Sequence, residues 1–134
     1  MELRDYIEEI EPKLSKSKGR SILRCVIEFS KLLSSVMPES GKNGINVSER
    51  FLNNQASEND LETARVAIWE DYADNYKDTP KGAALRTIIC ALFFPIGDKE
   101  YFDTLTYAID FSREALPNLK DSDFKGIIEN EFKA

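Results

Sequence analysis

Carboxylates are the abundant reactive groups of this chain, and one set of them lies at Glu70, Asp71, Asp74 and Asp78. On an uninterrupted helix Glu70 and Asp74 share one face, while Asp71, Asp74 and Asp78 run along a neighbouring one. Paired carboxylates can divide the roles of acid and base, yet no motif around these four aims them at a reacting bond. The chain contains no histidine. A serine or cysteine nucleophile would therefore lack its usual base, and the Glu-x-x-His pairs of helical di-iron bundles cannot form. Neither the calcium-loop pattern D-x-[DN]-x-[DN]-G nor the phosphate-loop pattern G-x-x-x-x-G-K-[ST] occurs. Two cysteines, Cys25 and Cys90, are too few for structural zinc and read as small core hydrophobes. The expectation is a non-enzyme without metal or cofactor. An acidic stripe whose like charges repel suits docking on a basic protein, and a solvated helix face is the plainer alternative. Trp69 and Tyr76 are the aromatic candidates beside it. Helical spacing also fits Trp69 and Tyr72 to a core, which leaves Tyr76, near the helix end, as the one expected to be exposed.

Charge and composition narrow the class further. Hydrophobic residues make up 42% and charged residues 31% of the chain, the balance of an ordinary folded domain. The net charge of -6 is uneven: residues 46–134 hold 17 Asp/Glu against 10 Lys/Arg. Nucleic-acid binding calls for a basic face and is not expected. The basic run Lys13, Lys16, Lys18, Arg20 and Arg24 is offset by Glu8, Glu9 and Glu11 and reads as a solvated linker. The charged start Met1–Asp5 lacks the layout of a secretory signal. No apolar run approaches the roughly 20 residues of a membrane span, so a cytoplasmic location with no membrane partner is expected.

Seven helical segments must position these residues. The first runs from about Glu2 to Lys16, with Pro12 expected to end or kink it early. The second carries Ile22, Cys25, Val26, Phe29, Leu33 and Val36 on one face and stops before Pro38. Pro38–Gly44, rich in turn residues, reads as a helix–helix connection, followed by a short third helix over about Ser48–Asn54. Ser57 and Asp60 have the spacing of a reciprocal cap ahead of the helix that bears Leu61, Ala64, Ile68 and the carboxylates. Thr79-Pro80 opens a fifth helix over 81–94, apolar nearly all round and so destined for a bundle centre. A sixth starts after Gly97-Asp98, and a seventh begins near Ser122. No stretch alternates with period two. The fold class predicted is all-α: a single compact bundle of six to seven short helices, mostly in antiparallel pairs around the apolar helix 81–94, as one domain over residues 1–134.

The stretch from Arg50-Phe51-Leu52-Asn53-Asn54-Gln55 through Asp60-Leu61-Glu62-Thr63-Ala64-Arg65-Val66-Ala67-Ile68-Trp69 resembles the start of a family of bacterial immunity proteins. These neutralise polymorphic toxins, including those of contact-dependent growth inhibition. In that family a short aromatic-leucine segment precedes an alanine-rich helix and further close-packed helices, and Ala83, Ala84, Ala91, Ala108 and Ala115 follow that style. The resemblance covers roughly residues 48–116. The chain departs from it at Asn54, where the family has glycine, and at Ala67-Ile68-Trp69, where the family has a histidine-containing alanine run. The resemblance implies a small cytosolic inhibitor of a cognate toxin C-terminal domain with a basic surface. A non-catalytic helical scaffold or regulatory domain, monomeric or dimeric, is the second reading.

Overall fold

The computed structural model describes residues 2–16, 19–96 and 100–132. Lys18 and the Gly97-Asp98 start signal lie outside the described residues, as do the side chains of Leu14 and Lys16. The fold is all-α: α1 (Leu3–Lys16), α2 (Gly19–Lys31), α3 (Glu39–Leu52), α4 (Glu58–Asp71), a π-helical turn (Tyr72–Tyr76), α5 (Pro80–Ile89), α6 (Tyr101–Ala115) and α7 (Asp121–Phe132). No strand occurs among the described residues, and no helix among them is long and apolar enough to cross a membrane.

The buried apolar side chains form one cluster, to which every helix contributes. Two helices share its centre. α5 packs on α6, α3, α2 and the π-helical turn, as its all-round apolar sequence requires. α2 touches α3, α5, α6 and α7 and buries Ile22, Leu23, Cys25, Val26, Ile27 and Phe29.

Local chemistry sets the helix starts. Ser57 Oγ accepts from the Asp60 amide at 3.1 Å, and Asp60 Oδ2 accepts from the Ser57 amide at 2.8 Å, so two orphan donors of α4 are satisfied reciprocally. Those bonds, the backbone one foremost, hold the Asp60 carboxyl below the usual carboxylate range. Thr79 Oγ1 accepts from Gly82 N at 3.0 Å, with Pro80 at the first position of α5.

Four segments depart from the sequence expectations; the first is α2, expected to run up to Pro38, which ends at Lys31 and gives way to turns over residues 32–36. Pro12 does not end α1; it sits on the exposed side, where the carbonyl freed by its missing N–H can turn to water. The segment 38–44 is not a connection, because α3 starts directly after Pro38. Gly41 and Gly44 lie buried inside α3, where the backbone runs close against its neighbours. A Cβ at Gly44 would stand 2.7 Å from Ile68 Cδ1, and one at Gly41 would meet Met37 Sδ and Leu85 Cδ2. These glycines serve close packing rather than a turn. Finally, α5 ends at Ile89 and not at Phe94. Residues Cys90–Leu92 tighten into i→i+3 bonds, and side chains take two of the freed carbonyls: Ser48 Oγ donates to Ala91 O at 2.9 Å and Arg65 Nη1 to Leu92 O at 2.7 Å.

Candidate protein-binding face

The four acidic residues singled out from sequence do not form one stripe. The π-helical turn begins at Tyr72, directly after Asp71, and its wider winding rotates everything beyond it. Glu70 and Asp74 are exposed. Asp71 is half-buried and engaged within the fold, its Oδ2 accepting from Ser40 Oγ at 2.5 Å and its Oδ1 from Asn75 Nδ2 at 2.7 Å. Asp78 lies past the turn at φ 59°, the left-handed region that aspartate tolerates better than most residues.

The aromatics also change places. Trp69, placed by its spacing in the core, is 40% exposed, while Tyr72 and Tyr76 are half-buried. The core stripe of α4 is Leu61, Ala64 and Ile68. Trp69 follows Ile68 by about 100° around the helix and so falls off that stripe. The π-helical turn brings Tyr72 and Tyr76 against the start of α5, where Gly82 leaves room for the Tyr72 ring and the Tyr76 carbonyl.

Together these shifts leave apolar side chains bare that the acidic stripe alone did not reveal. Four large apolar side chains among the described residues are exposed: Val66 at 49%, Trp69 at 40%, Phe93 at 47% and Tyr107 at 57%. They lie on α4, just past the end of α5, and on α6, and two arginines join those elements. Arg65 reaches from α4 to stack over the Phe93 ring at 4.2 Å. Arg86, on α5, stacks over Phe111 of α6 at 4.2 Å and lies 5.9 Å from the rings of both Trp69 and Tyr72. Trp69 and Tyr72 meet edge to face at 5.7 Å, and Tyr107 is one turn from Phe111 on α6. Glu62, Glu70 and Asp74 stand exposed along α4 and the turn that follows it. Tryptophan, tyrosine and arginine at the centre with charge at the rim is the composition of protein interfaces.

Sequence reasoning passed over Arg65, Arg86, Phe93, Tyr107 and Phe111. One signal was present: Arg86 is the only charged residue between Ala83 and Phe94, and a cation in a run otherwise made for burial needs a purpose.

Two other regions resolve into structure. In the basic run, Arg20 caps the end of α3 by donating to Leu52 O at 2.7 Å and Phe51 O at 3.2 Å, and Arg24 pairs with Glu131 at 3.3 Å. A hollow of about 730 Å3 separates α2, the end of α3 and α7. Its Lys31 is shared by Glu49 at 2.8 Å and Glu28 at 3.3 Å, which raises the lysine pKa through the Glu49 bond first. The chain's own carboxylates thus neutralise Arg24 and Lys31. Among the described residues no three His, Cys, Asp or Glu side chains converge as metal ligands.

Both thiols are free. Cys25 is buried; Cys90 is half-buried, one turn from Arg86, with its Sγ 3.5 Å from the Arg86 carbonyl. Burial pushes Cys25 well above the ordinary thiol range and Cys90 up to about 11, the nearby Arg86 charge opposing the latter shift. The thiolate is the reactive form, so raising a pKa from 9.0 to about 11 lowers its population near pH 8 about 100-fold. Iodoacetamide at pH 8 should therefore label native Cys90 at least about 100-fold more slowly than the urea-unfolded chain. Equal rates would mean that the fold does not shield the Cys90 thiol from water.

Comparison with protein-family models, with curated proteins and with solved structures found no match.

Proposed function

We propose that this chain is an inhibitor of the immunity type, binding and neutralising a toxin domain through the face centred on α4. The observation that carries the reading is that α4 is apolar on two sides. Leu61, Ala64 and Ile68 pack inward, while Val66 and Trp69 stand bare between Glu62, Glu70 and Asp74. A helix on the surface of a domain needs one apolar stripe to hold it. A second one, linked to Phe93 through Arg65, suits a macromolecular partner. The carboxylates beside it suit a basic partner, for which opposite charge raises the association rate and sets the register. The resemblance over residues 48–116 supplies the class of that partner.

Growth rescue tests this directly. The C-terminal region of the protein encoded immediately upstream is expressed inducibly in a test bacterium, with and without this chain. Toxicity cancelled only in its presence supports the reading; toxicity that persists sinks it. In the purified pair, the double variant E70K/D74K should keep its helical circular dichroism while associating about tenfold or more slowly at low ionic strength. An unchanged rate would place the contact on another face.

A further inference from the structure

Arg86 differs from every other arginine of the chain. Arg4, Arg24 and Arg113 form ion pairs. Arg20, Arg50 and Arg65 donate to backbone carbonyls. Arg86 does neither: among the described residues no carboxylate pairs with it, and its Nε, like that of Arg113, is buried without an acceptor. In a chain with 24 acidic residues to 18 basic ones, an arginine with no counter-ion among the described residues is not explained by a shortage of carboxylates. Its guanidinium is instead held among Phe111, Trp69 and Tyr72, which fixes the plane of its fork and lowers the local dielectric. It borders a cleft of about 340 Å3 whose walls include Tyr72, Thr79, Pro80, Asp78 and Glu114.

We propose that Arg86 is the receptor for a carboxylate of the bound partner, an Asp or Glu side chain carried next to apolar residues. This rests on the protein-binding reading and names the chemistry of its central contact. A guanidinium fork donates two parallel N–H bonds to a carboxylate, and stacking on aromatics pre-orders it at little entropic cost. The apolar neighbours of that carboxylate meet the exposed Trp69 beside it. Arg65, one turn before Trp69 on α4, adds a second cation to the same face. Asp78 and Glu114, in the walls of the same cleft and not ion-paired with Arg86, match a lysine or arginine flanking the partner's carboxylate.

Trp69 is the only tryptophan, so its emission has a single source, on this face. Two probes separate charge from apolarity: 8-anilinonaphthalene-1-sulfonate, an aromatic anion, and N-phenyl-1-naphthylamine, the same rings without the charge. The anion should quench Trp69 by energy transfer and bind about tenfold more tightly than the neutral dye. R86Q should abolish that preference while leaving the neutral dye's affinity unchanged. R86K, which keeps the charge without the fork, should fall between, and serves if R86Q melts early by circular dichroism. Equal affinities for the two dyes, or a preference that survives loss of Arg86, overturn the proposal. Growth rescue separates it from the reading beneath it. R86Q that rescues as well as wild type removes the carboxylate contact and leaves the inhibitor standing; a wild type that fails to rescue removes the inhibitor, and the dye preference is then judged by itself.

Discussion

Truncating Phe124 to alanine should lower the unfolding free energy by about 3–5 kcal/mol. Phe124 is fully buried on α7 and meets Phe29 of α2 edge to face, with ring centroids 5.2 Å apart. Such aromatic pairs add about 0.5–1.5 kcal/mol to the area they bury. The loss does not stop at the ring. Arg113, at the end of α6, stacks over Phe124 at 5.3 Å and pairs with Asp121 at the start of α7. That pairing, through the Arg113 hydrogen bond first, holds the Asp121 carboxyl below the usual carboxylate range. Without the ring beneath it Arg113 loses its platform, and α7 keeps mainly Ile128 as a fully buried anchor. Thermal unfolding should shift down by roughly 10–20 °C. A loss under about 1 kcal/mol would mean that α7 does not pack on α2 through this ring.

The second large effect contrasts two glycines. Gly82→Ala should destabilise the chain by about 1–3 kcal/mol, because the new Cβ would collide with the backbone carbonyl of Tyr76 and stand 2.9 Å from the Tyr72 ring. Backbone cannot swing aside as a side-chain tip can, so the π-helical turn must move. Movement there displaces Tyr72 from Arg86, and the preference for the anionic dye should weaken with the stability. Gly126→Ala should do the opposite. Gly126 is exposed in α7, and a Cβ added there would meet no heavy atom within 4 Å. Alanine at this position removes backbone entropy from the unfolded state and should stabilise by about 0.5–1 kcal/mol. Denaturant midpoints at an unchanged slope measure both. A Gly82→Ala protein as stable as wild type would show that α5 and the turn do not meet at this glycine.

What the sequence determined by itself was the local physics. Helical periodicity and the capping chemistry of Ser57, Asp60, Thr79 and Pro80 act within a few residues, so the all-α class and the starts of α4 and α5 were legible without any neighbour. The core stripes of α2 and α4 were legible for the same reason, since burial of one helix face is written in its spacing. The tertiary structure decided whatever depended on a second element. Gly41 and Gly44 carry the composition of a turn, and only the nearness of Ile68, Ile88 and Leu85 shows that they are there to let α3 come close. The end of α5 was not legible because Ser48 and Arg65, remote in sequence, supply the partners for the carbonyls beyond it. The candidate site followed the same division. Glu70 and Asp74 could be placed on a surface helix from their spacing, but a single π-helical turn moved Asp78 out of line and drew Tyr76 inward. Arg86 and its aromatic neighbours come from α4, the turn after it, α5 and α6. Side chains so far apart along the chain share a face only after the helices have packed.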